Sequence, residues 1–197
     1  MTLVFAGDSI TDAGHLTRPE SPLGIGYVSV IAAELKGKGD VRRVVNAGIS
    51  GDRAVDLQSR WDADVLSHGP SVLTIYVGVN DTWRRYDGGV ETPAADFEQT
   101  YRDLLERAQA AGVSRIILME PFVTPVNVEQ SGWLDDLRAK RLVVGRLAND
   151  YGATFIGLHE LLREEARVHG AESIAADGVH PTARGHELIA KAWLAAL

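Results

Sequence analysis

Short apolar runs rich in β-branched residues alternate with longer amphipathic stretches along most of the chain. Each run has the length of a strand buried on both faces of a sheet. The predicted strands are residues 2–6, 42–46, 71–77, 115–120 and 153–156. The stretches between them carry the spacing of amphipathic helices. The predicted helices are residues 26–35, 52–66 with an interruption, 93–111, 133–151, 158–169 and 182–197.

Strands that alternate with helices predict a parallel sheet covered by helices on both faces, a three-layer α/β/α sandwich. Right-handed crossovers leave few topologies, and we expect the flavodoxin-like strand order 2-1-3-4-5. No linker, repeat or low-complexity tract interrupts the 197 residues, so we expect one domain over 1–197. Residues 12–23 and 121–132 are too polar or too interrupted by proline for helices, and we expect both to be irregular.

Composition and charge exclude several classes of protein. The chain carries 20 Lys+Arg against 27 Asp+Glu and has no basic block, which argues against nucleic acid or an anionic membrane as a partner. It contains no cysteine, which excludes disulfides, thiolate metal sites and a cysteine nucleophile. The histidines show no metal-site spacing, so we expect no metal. No secretory signal and no membrane-length apolar run are present, so we expect a cytoplasmic protein.

Small, polar and ionisable residues gather at the predicted strand ends. The segments GDSITD (7–12), NAGISGD (46–52) and GVND (78–81) follow the first three strands, and DGVHP (177–181) precedes the last helix. Ligands of open α/β sheets bind at the carboxyl ends of the strands. We therefore expect these four segments to meet at one edge of the sheet.

One reaction, acyl transfer, would use all four segments. Ser9 at a strand-to-helix turn is a candidate nucleophile, which needs a base within about 3 Å. Asp177 lies three residues before His180, a spacing that lets the carboxylate hold Nδ1 and leaves Nε2 as the base. Acyl transfer also needs hydrogen-bond donors for the oxyanion, and the N–H groups of Ser9 and Gly51 and the amide of Asn80 are candidates.

Each of these residues, taken alone, also fits a structural role. Ser9 suits a helix N-cap, and Asp177 suits a cap beside a surface histidine. Gly51 suits a turn with positive φ, and Asn80 suits an Asx-turn or a cap. The four segments together, after separate strands and at one sheet edge, favour the catalytic interpretation.

Two further residues are candidates for substrate binding. Trp83 directly follows the Asn80 segment, beside two arginines and a tyrosine. Aromatic and guanidinium groups at a pocket rim stack on sugars or bind acyl or carboxylate groups, although this stretch also suits the start of an amphipathic helix or an oligomer contact. Asp8 precedes Ser9, where it can bind loop amides or contact the substrate.

The four segments, in this order, resemble the blocks of the SGNH/GDSL hydrolases. GDS resembles the nucleophile block, NAGISG the second, GVND the third and DGVHP the last. The resemblance implies a Ser9 nucleophile with Asp177 and His180, an oxyanion hole that includes Gly51 and Asn80, the SGNH fold and no cofactor. The GxSxG elbow of α/β-hydrolases is absent around Ser9.

Further stretches resemble the branch of this family that contains cytoplasmic acetylxylan esterases. They include LGIGYV, DLQSRWDADVL, LMEPF and the extended last block, DGVHPTARGHELIA. The resemblance implies a serine esterase that deacetylates small-molecule substrates such as xylo-oligosaccharides, and it also implies a homo-oligomer. The chain departs from this branch at Asp52-Arg53 and in residues 123–132.

Two other functions stay open at this point. The first is a broader acyl esterase, thioesterase or lysophospholipase of the same family. The second is a flavodoxin-like binding or signalling domain, although the chain lacks a phospho-acceptor aspartate paired with a lysine after a late strand.

Overall fold

A parallel sheet of five strands forms the centre of the molecule. The computed structural model describes residues 1–197. The strands run in the order β2-β1-β3-β4-β5, and every neighbouring pair is parallel, which confirms the predicted topology. Their bounds are β1 Thr2–Gly7, β2 Arg43–Gly48, β3 Val72–Tyr76, β4 Arg115–Met119 and β5 Thr154–Ile156.

Ten α-helices surround the sheet. They are α1 Ser9–Asp12, α2 Tyr27–Gly37, α3 Ala54–Ser59, α4 Val79–Asp87, α5 Ala94–Ala110, α6 Val128–Ser131, α7 Leu134–Asp150, α8 His159–His169, α9 Ala171–Ile174 and α10 Ala183–Ala196. A π-helix over Trp61–Val65 and a 3-10 turn over Leu66–His68 follow α3, which accounts for the predicted interruption. None of these helices combines the length and apolarity that crossing a membrane requires.

Four of these helices, α1, α4, α6 and α9, were not predicted from the sequence. Three of them, α1, α6 and α9, have four residues each, too few for an amphipathic period to show. Helix α6 lies within residues 121–132, so the expectation that this whole stretch is irregular was wrong. Its N-cap is Asn127, whose side chain accepts a hydrogen bond from the N–H of Gln130.

Two hydrophobic clusters, one on each face of the sheet, make up the core. Alternate residues of β1 divide between them, because successive side chains of a strand point to opposite faces. Phe5 packs with Tyr27 of α2 and Trp193 of α10 on one face. Val4 joins side chains of α3, α5 and α7 on the other face. The sheet is therefore the middle layer of a sandwich.

Two glycines let α1 sit directly on the ends of β1 and β2. Gly7 and Gly48 are the paired last residues of β1 and β2. A Cβ atom on Gly7 would lie 2.3 Å from the carbonyl oxygen of Tyr76, and one on Gly48 would lie 2.3 Å from the backbone nitrogen of Asp12. Such distances leave no room for any side chain. The close approach places the start of α1, and with it Ser9, at the carboxyl edge of the sheet.

The side chain of Asn46 fastens this edge together. Its Nδ2 atom donates to the carbonyl oxygen of Thr11 at 2.7 Å and to that of Leu23 at 3.0 Å. Its Oδ1 atom accepts from the N–H of Gly48 at 2.9 Å. One buried amide therefore joins β2 to α1 and to the loop that follows α1, which explains how the first two sequence segments come together.

A buried hydrogen bond between the sheet and α10 provides a test of this packing. The indole Nε1 of Trp193 donates to Oγ1 of Thr74 at 2.9 Å, whereas the buried Oγ1 of Thr82 has no partner. We expect Thr74→Val to lower the free energy of unfolding by about 1–3 kcal/mol, because it leaves the indole N–H unpaired. We expect Thr82→Val, the same chemical change, to be neutral or stabilising. Urea denaturation of both variants checks this, and equal losses in the two would contradict the account.

Candidate active site

Ser9, His180 and Asp177 form a continuous chain of hydrogen bonds at the carboxyl edge of the sheet. The Oγ atom of Ser9 lies 2.9 Å from Nε2 of His180. Nδ1 of the same ring lies 2.6 Å from Oδ2 of Asp177. Ser9 is the first residue of α1, and the other two lie in the turn before α10. The arrangement sets a hydroxyl against an imidazole whose far side is held by a carboxylate, as acyl transfer to serine requires.

The turn that carries Asp177 fixes the direction of its carboxylate. Oδ1 accepts hydrogen bonds from the backbone N–H of His180 at 2.7 Å and of Val179 at 3.0 Å, which leaves Oδ2 for the ring. Partial burial raises the pKa of Asp177, but the hydrogen bonds from the ring and from these two N–H groups outweigh burial and hold the pKa below its ordinary value. The carboxylate therefore stays ionised at neutral pH and orients the imidazole.

Ser9 is not the cap of α1, which decides between the two roles expected for it. Asp8 is the N-cap, and its side chain accepts a hydrogen bond from the N–H of Ile10 at 3.0 Å. The hydroxyl of Ser9 is left free to face His180. The N–H of Ser9, in the first turn of α1, is one of the helix donors that have no partner within the helix.

Gly51 lies in the loop after β2, and Asn80 lies in the first turn of α4, which a hydrogen bond joins to that loop. Gly51 has a φ of 91°, in the left-handed region that favours glycine. Its N–H donates to no other group of the protein. Asn80, near the start of α4, is buried, and its Nδ2 atom donates to the carbonyl oxygen of Asp52 at 3.0 Å. A carboxamide carries two N–H groups, so this bond leaves a second donor on Asn80.

Of the two roles expected for Asp8, the structure supports the binding of loop amides and not contact with substrate. Asp8 is 1% exposed, and its carboxylate accepts a hydrogen bond from the backbone of α1. Burial raises the pKa of Asp8 to about 7, although the hydrogen bond from Ile10 opposes this shift. The side chain lies beneath the site and holds α1 in place, a position that adjacency to Ser9 in the sequence does not reveal.

Trp83 lies beside the imidazole, within an aromatic wall formed by Trp83, Trp133 and Tyr86. The ring centroids of Trp83 and His180 are 6.0 Å apart, and those of Trp83 and Trp133 are 5.5 Å apart. Tyr86 also stacks on Trp133, with ring centroids 5.5 Å apart. Trp133 is buried, so Trp83 is the member of this wall that lies beside the hydrogen-bonded chain. Trp83 is also part of helix α4. A helix start was one of the alternatives that the sequence left open for this stretch.

An open crevice of about 340 Å³ lies next to Ser9 and His180. Apolar side chains, among them Ile10 and Ile25, line part of it. A second cavity, of about 550 Å³, lies between α7 and α8 and includes neither Ser9 nor His180. No group of three or more His, Asp or Glu side chains has an arrangement that could hold a metal ion. The crevice therefore borders the Ser9 hydroxyl and the His180 ring, whereas Gly51, Asn80 and Trp83 do not line it.

Gln130, which was not predicted from the sequence, supports the turn that contains Asp177 through a hydrogen bond. The residue is buried, and its Nε2 atom donates to the carbonyl oxygen of Asp177 at 2.6 Å. Its Oε1 atom accepts from the N–H of Val126 at 3.0 Å. Gly178, with a φ of 84°, packs so closely that a Cβ atom there would lie 2.3 Å from Oε1 of Gln130. No signal in the sequence marks this contact, because its two partners lie 47 residues apart.

Comparison with known proteins identifies the family. Residues 5–188 match the model of the GDSL-like lipase/acylhydrolase family. The chain belongs to this family. As a GDSL-like acylhydrolase it is a carboxylic ester hydrolase, and the resemblance and the SGNH fold inferred from the four sequence segments are confirmed.

Individual proteins that are similar to this chain include two esterases. The chain is 34% identical over 203 residues to an acetylxylan esterase of Geobacillus stearothermophilus, and the match covers 98% of this chain and 91% of that one. It is 30% identical over 117 residues to Esterase TesA of Pseudomonas aeruginosa, which covers 59% of this chain and 53% of the relative.

Solved structures show the same similarity. The crystal structure of an acetylxylan esterase from Geobacillus stearothermophilus superposes with a TM-score of 0.90 at 34% identity, covering 98% of this chain and 92% of that one. An alpha/beta hydrolase enzyme from the metagenome of Lake Arreo in Spain superposes with a TM-score of 0.88 at 28% identity, covering 99% and 94%.

The contacts of Gln130 predict that it is a positioning residue for ester hydrolysis. We expect Gln130→Met, which keeps the side-chain length but loses both hydrogen bonds, to lower kcat for p-nitrophenyl acetate by about tenfold to a hundredfold with little change in KM. We also expect the acidic side of the pH profile of kcat/KM to change, because the turn whose hydrogen bonds hold the pKa of Asp177 below its ordinary value loses its support.

The matched control is Gln109→Met, since Gln109 also donates to a backbone carbonyl but lies on α5, away from the crevice. It should leave kcat and the pH profile unchanged. Wild-type kcat and an unshifted profile in folded Gln130→Met protein would contradict the positioning role.

Proposed function

We propose that this protein is a serine acetylesterase that removes acetyl groups from carbohydrates such as xylo-oligosaccharides through an acyl-enzyme on Ser9. The observation that carries the proposal is the 2.9 Å approach of Ser9 Oγ to His180 Nε2 beside an open crevice. The similarity to an acetylxylan esterase over nearly the whole chain supports the carbohydrate substrate.

In the first step Ser9 attacks the carbonyl carbon of the ester while His180 accepts its proton at Nε2. Asp177 holds Nδ1–H of the ring and stabilises the imidazolium that forms. The low pKa of Asp177 matters here, because a protonated carboxyl would lose its charge interaction with that imidazolium. The C–O bond to Ser9 forms as the carbonyl π electrons move to the oxygen.

The negative oxygen of the tetrahedral intermediate accepts hydrogen bonds from Ser9 N–H, Gly51 N–H and Asn80 Nδ2. The left-handed turn at Gly51 and the bond from Asn80 to Asp52 support this role, because they restrain two of the three donors before substrate arrives. Preorganised donors of this kind contribute more than flexible ones, and loss of one typically costs about 10²–10³ in rate.

The intermediate then collapses, and the bond from the acyl carbon to the sugar oxygen breaks. The leaving sugar oxygen takes the proton from His180 and becomes a free hydroxyl group. Water enters the space the alcohol leaves, and His180 removes its proton as it attacks the acetyl-serine. Collapse of the second intermediate releases acetate and restores the Ser9 hydroxyl. The protein's own side chains supply every proton transfer in this sequence.

The aromatic wall and the crevice favour a short acyl group on a sugar. The Trp83 ring beside His180 offers a flat face on which a pyranose ring stacks. We propose this stacking as the role of Trp83 in substrate binding. The apolar part of the crevice, near Ile10 and Ile25, accepts the acyl methyl group.

A broader acyl esterase, thioesterase or lysophospholipase is the alternative. The partial similarity to Esterase TesA favours it. The two functions differ in the length of acyl chain that the site accepts, and this difference can be measured directly.

We expect Ser9→Ala to abolish hydrolysis of p-nitrophenyl acetate while the circular dichroism spectrum stays that of the wild type, because no other hydroxyl replaces the nucleophile. We expect wild-type kcat/KM to fall steeply from acetate to butyrate and octanoate esters, and acetylated xylo-oligosaccharides to release acetate. Ser67→Ala, on the 3-10 turn remote from the crevice, is the control and should keep full activity.

Two results decide against parts of this proposal. Hydrolysis by folded Ser9→Ala protein at the wild-type rate would remove Ser9 from the reaction. A rate that rises with acyl length, together with no acetate release from the acetylated sugars, would favour the lipase-like or thioesterase alternative.

A further inference from the structure

Arg18 places an unpaired positive charge on the wall of the crevice that contains Ser9 and His180. We propose that Arg18 binds a carboxylate carried by the substrate, and that the enzyme prefers acetyl esters of acidic sugars, such as acetylated uronic acids, over matched neutral ones. This inference rests on the carbohydrate acetylesterase function proposed above. It adds the charge of the substrate and the residue that selects for it.

The loop after α1 fixes the position of Arg18. The N–H of Thr17 donates to the carbonyl oxygen of Gly14 at 3.2 Å, and the N–H of Ser21 donates to that of Arg18 at 2.8 Å. Two consecutive turns therefore set its backbone. The N–H of Ile25 donates to the carbonyl oxygen of Ala13 at 3.0 Å, which closes the loop.

Gly14 makes room for the side chain of Arg18. A Cβ atom on Gly14 would lie 3.1 Å from Nε of Arg18 and 3.3 Å from its Cδ. Gly14 also lines the crevice and has a φ of 84°, a conformation that favours glycine. The arginine side chain therefore lies across a position without a side chain, against the crevice wall.

Arg18 differs from most arginines of this chain in having no carboxylate partner. Twelve of the 16 arginines form ion pairs with Asp or Glu side chains. Arg18 forms none, and no Asp or Glu lines the crevice. Arg18 is therefore the one residue lining the crevice that carries a permanent charge, and this charge is positive.

The other ionisable groups of the crevice do not supply a competing fixed charge. Burial lowers the pKa of His186 to about 4, so this ring is neutral at pH 7, and its Nδ1 atom accepts a hydrogen bond from the N–H of Tyr27. His180 is engaged by Ser9 and Asp177. The guanidinium of Arg18 is thus the group that can hold an anion beside the ester.

A carboxylate is the anion that fits this group. The two oxygens of a carboxylate match the planar N–H fork of a guanidinium and form two parallel hydrogen bonds with it. Arg18 is exposed, so a pair of this kind contributes modestly and is screened by salt. The contribution therefore appears as a preference between substrates that differ by one charge.

Two matched pairs of substrates test the assignment. The first is an O-acetylated methyl glucuronoside and its methyl ester, and the second is 4-acetoxybenzoate and its methyl ester. Each pair gives a ratio of kcat/KM, acid over ester, for the wild type, Arg18→Ala and Arg18→Glu. The intrinsic reactivity of the two substrates is the same for every variant, so it cancels when the ratio in one protein is compared with the ratio in another. Arg43→Ala is the matched control, because Arg43 is exposed at the start of β2, away from the crevice.

We expect Arg18→Ala to lower the ratio about fivefold for at least one pair, and Arg18→Glu to lower it further. Arg43→Ala should keep the wild-type ratio. Raising the ionic strength from about 0.01 M to about 0.5 M should lower the wild-type ratio but not that of Arg18→Ala.

A ratio that is the same in the wild type, Arg18→Ala and Arg18→Glu for both pairs would overturn the inference and leave Arg18 as a solvated surface residue. If the glucuronoside pair is not hydrolysed but the benzoate pair shows the Arg18-dependent ratio, the carbohydrate function fails and the carboxylate site stands. If both pairs are hydrolysed without any dependence on Arg18, the proposed function stands and the carboxylate site fails.

Discussion

The hydrogen bond between Ser9 and His180 is the interaction on which the rest of the site depends. It joins residues 171 positions apart, one at the end of the first strand and the other before the last helix. Neither partner is reactive alone, because a serine hydroxyl needs a base and a histidine base needs a fixed ring orientation. The parallel sheet brings both to one edge, since all five strands end there.

The accuracy of that contact comes from polar groups that are buried around it. Asn46 ties the second strand to α1, Asp8 caps α1, and Gln130 supports the turn of Asp177. Each satisfies backbone groups that would otherwise be unpaired at the ends of strands and short helices. The reacting groups are therefore held by a shell that solvent does not reach, although the crevice itself is open.

The hydrophobic pattern predicted the sheet well because its strands are buried on both faces. All five strands and their order were found, with bounds that differ by one or two residues from those in the structure. Helix α4 was only one of the alternatives for its stretch, because most of its nine residues are polar. Helix α6 was too short to leave a periodic signal.

Some residues of the site could likewise be predicted from their own sequence segments, whereas others are recognised only from contacts in the folded chain. Ser9, Gly51, Asn80, Asp177 and His180 carry signals in their own segments, and the structure brings Ser9, His180 and Asp177 into direct contact. Gln130 and Arg18 carry none, because what distinguishes them is a contact or its absence in three dimensions. Asp8 fitted two roles in the sequence, since adjacency to Ser9 says nothing of which way the carboxylate points, and the hydrogen bond from Ile10 decides for the binding of loop amides.

Labelling with a serine-directed organophosphate, followed by peptide mass spectrometry, tests the central claim most directly. The account predicts one phosphoryl adduct, on the peptide that contains Ser9, and greatly slowed labelling of a folded His180→Ala variant, because the hydroxyl then lacks its base. An adduct on another serine, or equal labelling rates in the wild type and His180→Ala, would contradict it.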